Sequence, residues 1–134
     1  MEKLHFETID STSTYLKRNY ENLPNLTFVS ADYQTNGHGR NQRTWVSQKD
    51  ENLLFSLLIK DKNIIKDFSS LSIKAAISII KVLEDIYHIP NVSLKWPNDV
   101  YINDKKVCGI LLESVSIEQD IPCIIVGIGL NVNS

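Results

Sequence analysis

Two short stretches of this chain gather residue types that handle anions. The first, Gln34-Thr35-Asn36-Gly37-His38-Gly39-Arg40-Asn41-Gln42-Arg43-Thr44-Trp45, sets glycines beside arginines and an indole. Glycine lets backbone N–H groups approach an anion closely, and guanidinium donors meet a carboxylate or phosphate in a planar fork. The stretch reads as an anion clamp or, on composition alone, as a hairpin loop with solvated arginines. The second stretch is Lys95-Trp96-Pro97-Asn98-Asp99, followed by Lys106 and then Gly109. If Trp96 and Val107 lie on paired strands, Lys95, Asn98 and Lys106 converge at the strand ends near a ligand's polar groups. Taken singly, the same residues are a turn, a core indole and surface charges.

Other chemistries find little support. Gly37-His38-Gly39-Arg40 has no third glycine at the dinucleotide-fingerprint position, and no Gly-Lys-Ser/Thr of a P-loop occurs. His5, His38 and His88 lack metal-ligand spacing, so no protein-bound metal is expected, and Asp99 reads as a turn residue before a metal ligand. Cys108 and Cys123 form no CxxC pair and read as reduced core thiols rather than nucleophiles.

A chain of 134 residues with 43% hydrophobic and 22% charged residues has the size and composition of one globular domain. Its net charge of −2 provides no global field for nucleic acid or an anionic membrane, so phosphate binding has to be local. The N-terminal residues lack a signal-peptide apolar stretch and no run is long enough to span a bilayer, so the expected location is the cytoplasm, without membrane or nucleic-acid partners.

The elements that must position these residues follow from periodicity. A strand is expected near Leu4 to Thr8, and Asp10-Ser11-Thr12 supplies capping side chains for a helix through Tyr15-Leu16-Lys17-Arg18. Leu26 to Ala31 and Leu53 to Ile59 read as strands, with Gln34 to Thr44 as a loop. From about Ser70 to Tyr87, Leu71, Ala75, Ile79, Val82 and Ile86 form an apolar helical stripe, opposite Lys74, Ser78, Lys81, Asp85 and His88. Val92 to Trp96, Val100 to Ile102, Lys106 to Ser116 and Ile121 to Leu130 form a meander, with turns at Pro97-Asn98-Asp99 and Asn103-Asp104. Strands around two helices, without strand-helix-strand alternation, point to an α+β fold with a mixed, largely antiparallel sheet rather than a doubly wound one.

These residues resemble the catalytic domain of biotin protein ligases, also called biotin-[acetyl-CoA-carboxylase] ligases. Matching segments run in order: Asp10-Ser11-Thr12, the loop from Gln34 to Trp45, Lys95-Trp96-Pro97-Asn98-Asp99, Lys106-Val107-Cys108-Gly109-Ile110-Leu111 and Gly127-Ile128-Gly129-Leu130-Asn131. The resemblance implies a biotin/lipoate ligase-like, class II synthetase-like fold. It also implies activation of biotin by ATP to biotinyl-5′-adenylate, with Mg2+ arriving on the ATP, and transfer to a lysine of a carboxylase's biotin carrier domain.

Carried over residue by residue, the resemblance makes Arg40 and Lys106 the groups that neutralise charge at phosphorus. Ser11, Thr12 and Gln34 line the ring end of biotin, with Gly37, His38, Gly39, Arg40, Lys106 and Gly109 along the rest of it. Asn98 and Asn131 lie towards the adenosine, and Arg43 and Trp45 order the loop or face the nucleotide. His38 stands where the family usually has its first loop arginine, which replaces a permanent charge with a group that titrates near neutrality. Family members continue past the Gly127-to-Asn131 segment, so the resemblance implies a catalytic domain, residues 1–134, shortened at its C-terminal end. With no helical segment ahead of Met1 to supply the DNA-binding module of some relatives, no repressor role is expected. The competing readings are a truncated, non-catalytic biotin-binding module and a lipoate-attaching ligase.

Overall fold

The computed structural model describes residues 2–37, 52–96 and 98–131. Its described residues form a seven-stranded sheet flanked by helices. In chain order the elements are β1 (Lys3–Ile9), α1 (Thr12–Asn19), β2 (Phe28–Gln34), β3 (Asn52–Ile59), α2 (Lys62–Ile65), α3 (Leu71–Lys81), β4 (Val92–Lys95), β5 (Asp99–Ile102), β6 (Lys105–Ile117) and β7 (Asp120–Asn131). The sheet order is β1-β2-β3-β7-β6-β5-β4, with β1 and β2 parallel and every other neighbouring pair antiparallel. The α+β, mixed and largely antiparallel expectation is met, and β4 to β7 form the meander.

Helices lie on both faces of the sheet, which explains why β7 carries the unbroken apolar run Cys123 to Val126. Ile125 and Cys123 pack with Leu16 and Tyr20 of the α1 layer. Ile124 and Val126 point the other way, onto Ala76 and Leu83 of the α3 layer. Leu16, fully buried, anchors α1; burying one such side chain is worth about 1.5–3 kcal/mol.

Helix α1 starts where the sequence suggests. The Ser11 hydroxyl accepts from the Thr14 N–H at 3.3 Å, and Lys17 and Arg18 in the last turn suit the helix dipole. Asp10 accepts from the Ser11 N–H at 2.7 Å and pairs with Arg18 at 2.9 Å. The Arg18 guanidinium holds the Asp10 carboxyl below its ordinary value.

Several boundaries depart from expectation for local reasons. Leu26 has φ 66, outside the extended region, so β2 begins at Phe28. Gln34 is the last residue of β2, in register with Ile9, rather than the first of a loop. The short helix α2, capped by Asp61 onto the Asn63 N–H, carried too few residues to register as periodic. The long helix closes in a π-helical turn, Val82–Ile86, with an i to i+5 bond from the Tyr87 N–H to the Val82 carbonyl. That turn shifts the inward face, so Val82 and Ile86, expected in the apolar stripe, are 41% and 64% exposed. Ala76 and Leu83 take the buried positions. His88, in the left-handed region at φ 53, then ends the helix and lets the Ile89 N–H reach the Leu83 carbonyl.

The expected turn at Asn103-Asp104 is present, with φ of 49 and 68, the pair of left-handed residues that a tight hairpin requires. No helix among the described residues is long and apolar enough to cross a membrane.

Candidate functional site

The N-terminus of α1, the end of β2 and the middle of β3 and β7 meet in a buried polar knot. The Gln34 side-chain oxygen accepts from the Thr12 N–H at 2.8 Å and from the Thr12 hydroxyl at 3.0 Å. The Thr12 and Ser56 hydroxyls lie 2.7 Å apart, as do those of Ser13 and Ser56. Ser11, Thr12, Ser13 and Ser56 are all buried. Buried hydroxyls demand partners, and this set supplies them internally. Gly127 on β7 makes room for it, because a Cβ there would stand 2.6 Å from the Ser13 hydroxyl oxygen.

Sheet register extends this knot along β6 and β7. Gly127 lies opposite Ser56 on one side and Leu111 on the other, while Gly129 pairs with Gly109. Gly109 in turn pairs with Asp99 of β5. Three glycines on adjoining strands thus leave a tract of backbone without side chains between the knot and β5, where a ligand can lie against the sheet.

At the far end of the tract the Lys106 ammonium lies 3.3 Å from the Asp99 carboxylate, with Asp99 largely buried. The Asn131 amide donates to the Lys106 carbonyl at 3.5 Å. Lys95 sits 5.0 Å from the centre of the Tyr101 ring. Asn98 is buried: its Nδ2 donates to the Ile110 carbonyl at 2.6 Å, and its Oδ1 has no hydrogen-bond partner among the described residues. It lines a cavity of about 460 Å3 together with Phe68, Ser69, Ser72, Trp96 and Glu113. Lys17 of α1 reaches across to form an ion pair with Glu113.

Ser11, Thr12 and Gln34 are therefore brought together, and Lys106, Gly109, Asn98 and Asn131 gather at the β5–β6–β7 end. Gly37 is buried just beyond β2. His38, Gly39, Arg40, Arg43 and Trp45 lie outside the described residues. The postulated pairing of the Trp96 and Val107 strands is corrected: β5 stands between β4 and β6, and Trp96 is 72% exposed rather than core. Lys106 pairs with Asp99, while Asn98 turns its amide onto the β6 backbone.

Sequence reasoning passed over Ser13, Ser56 and the pairing role of Asp99. A signal for Ser56 was present, since it is a polar residue set between Leu54 and Leu58 on the buried side of Asn52–Ile59. Among the described residues no group of three or more His, Cys, Asp or Glu side chains could hold a metal. Burial pushes the Cys108 thiol up to about 12, reinforced by the Asp99 charge, and burial also raises Cys123. Both are buried free cysteines, as expected of core thiols.

The fold and this arrangement define an α+β domain with a buried polar knot joined by a glycine tract to a lysine-bearing strand end. A family model described as the Biotin/lipoate A/B protein ligase family matches residues 5–131. The chain belongs to that family. It is similar to a biotin protein ligase from Aquifex aeolicus solved in complex with biotin and ATP, with a TM-score of 0.82 and 40% identity, covering 99% of this chain and 53% of that one. It is 38% identical over 112 residues to the bifunctional ligase/repressor BirA of Bacillus subtilis, covering 84% of this chain and 34% of that protein. It is 32% identical over 123 residues to the biotin-[acetyl-CoA-carboxylase] ligase of Paracoccus denitrificans, covering 91% of this chain and 51% of that protein. The chain thus spans about a third to a half of the length of these relatives.

Proposed function

We propose that this chain carries the biotin-activating site of a biotin protein ligase. The observation that carries the reading is the continuity of the site, from the Thr12–Gln34–Ser56 knot through Gly127, Gly129 and Gly109 to Lys106. A bicyclic ring with polar edges fits the knot, an aliphatic tail fits the glycine tract, and a carboxylate then ends near an ammonium. The likeness to a structure that holds biotin and ATP supports the same assignment.

In the first step a biotin carboxylate oxygen attacks the α-phosphorus of ATP, and the bond to the β-phosphate oxygen breaks. The products are biotinyl-5′-adenylate and pyrophosphate, with the metal on ATP entering as part of that substrate. Both reactants are anions, so the reaction needs cations that hold them together and neutralise the charge growing at phosphorus. Lys106, oriented by its contact with Asp99, supplies one, and Arg40 supplies the second. In the second step a carrier lysine, having lost its proton, attacks the acyl carbon and AMP leaves. Asn98 and Asn131 serve the nucleotide end, Ser11, Thr12 and Gln34 the biotin ring, Gly37, His38, Gly39 and Gly109 the length of the biotin, and Arg43 and Trp45 the loop or the nucleotide. The partner is the biotin carrier domain of a carboxylase, and the setting is the cytoplasm.

Titration with biotin followed by ATP, combined with an assay for pyrophosphate, tests this reading. Biotin-dependent pyrophosphate release is the expected result. Biotin binding with no pyrophosphate would establish a binding module, and preference for lipoate would overturn the substrate.

A further inference from the structure

We propose that Ser56 is a positioning residue that fixes the hydrogen-bond polarity of the pocket, so that Gln34 meets the ligand with its NH2 and Ser13 meets it with a lone pair. The proposal rests on the biotin reading and deepens it. The Thr12 backbone N–H, 2.8 Å from the Gln34 side-chain atom that faces it, can only donate, so that atom is the carbonyl oxygen. The Thr12 hydroxyl, 3.0 Å from the same oxygen, spends its one proton there.

The rest of the order follows from counting protons. Thr12 has no proton left for Ser56, so across their 2.7 Å contact Ser56 donates. Ser56 then has none left for Ser13, so across the second 2.7 Å contact Ser13 donates. The chain runs in one direction, from Ser13 to Ser56 to Thr12 to Gln34. At one end the Gln34 NH2 has no acceptor among the described residues and is available to an incoming carbonyl. At the other end Ser13 has lone pairs to offer, beside the bare backbone of Gly127.

Reversal is opposed at both ends. A flipped Gln34 would set its NH2 against the Thr12 N–H, donor against donor. The reversed chain would also turn the proton of the buried Ser13 away from Ser56, its acceptor in this structure. A buried donor left unsatisfied costs about 1–3 kcal/mol. Without Ser56 the Thr12 hydroxyl is free to donate or accept, so one of the two penalties against flipping disappears. The native pocket is thus set for a ligand edge on which a carbonyl acceptor adjoins an N–H donor, as in a cyclic urea. It is set against an edge that carries only donors.

The test compares biotin with 2-iminobiotin, whose protonated cyclic guanidine replaces the carbonyl acceptor with a donor, by calorimetric titration of the 134-residue chain. The native protein should favour biotin by at least about a hundredfold. Ser56→Ala should narrow that ratio about five- to tenfold, the worth of one hydrogen bond. Gln34→Glu, which offers an oxygen in place of the NH2, should invert the preference, and adding Ser56→Ala to it should not move the ratio further. Should Ser56→Ala not fold, Ser56→Cys, whose thiol is a weak donor, should narrow the ratio in the same direction by a smaller factor.

Equal losses for both compounds in the Ser56 variants would make the residue merely structural and overturn the relay while leaving the biotin reading intact. A retained preference for biotin in Gln34→Glu would overturn the assigned polarity. A native chain that holds neither compound would overturn the biotin reading and the relay with it.

Discussion

Replacing Gly127 by alanine tests the architecture of the polar knot directly. The new Cβ would stand 2.6 Å from the Ser13 oxygen, with the Leu111 carbonyl and the Ser56 hydroxyl each at 3.6 Å. Only the first contact is prohibitive, and the Ser13 oxygen must retreat by about 0.8 Å to restore the 3.4 Å of ordinary van der Waals contact. That retreat stretches its 2.7 Å bond to Ser56, in a residue buried in the first turn of α1. Overpacking of this kind costs about 1–3 kcal/mol, and the lost hydrogen bond adds about 1 kcal/mol. The expected destabilisation is therefore roughly 2–4 kcal/mol. For a domain of this size that corresponds to a fall in Tm of roughly 6–15 °C. Urea and thermal unfolding followed by circular dichroism measure it. The control is Ser13→Ala, which should cost about 1 kcal/mol alone and should relieve the clash, so that the double variant lies close to Ser13→Ala. If Gly127→Ala is within about 0.5 kcal/mol of the native protein, the predicted crowding is absent. If it costs the same in both backgrounds, the crowding does not involve Ser13.

Lys106→Ala should reduce biotin-dependent pyrophosphate release by about 100-fold or more, while its urea midpoint stays near native, because a strand-end cation near a reacting phosphate contributes to the transition state more than to packing. A variant with native pyrophosphate release would return Lys106 to the surface. Asp10, held below its ordinary 3.8 by Arg18, contributes stability that is complete above that value and is lost as pH falls through the lowered one. Arg18→Gln should therefore flatten the acid limb of a stability-pH curve, and an unchanged limb would show the pair to be inert. Cys108 behaves in the opposite sense: the raised thiol contributes stability that is complete below its unfolded value of 9.0 and is lost as pH climbs towards about 12. At pH 8 neither Cys108 nor Cys123 should react with a thiol reagent until denaturant is added, and rapid labelling of the native chain would contradict their burial.

Much of the fold was legible because its signals are local. Ser11 as a cap, the apolar run from Leu53 to Ile59, and the Asn103-Asp104 hairpin each depend on residues close in sequence. The helix over Leu71–Lys81 was equally plain, and its final turn was not, because an i to i+5 bond at Val82 leaves no mark on apolar spacing. The anion-handling residue types and their order in the chain were likewise visible in the sequence, and with them the resemblance to the family. Which of them meet was decided by the sheet. Lys106 finds Asp99 because β5 inserts between β4 and β6, and Thr12 finds Ser56, 44 residues away, because α1 crosses over to set β1 beside β2, next to β3. The direction of the hydroxyl chain and the need for glycine at 127 exist only once those strands are in register. A side chain's type states what it can donate or accept, and only its neighbours in space determine which of these it does.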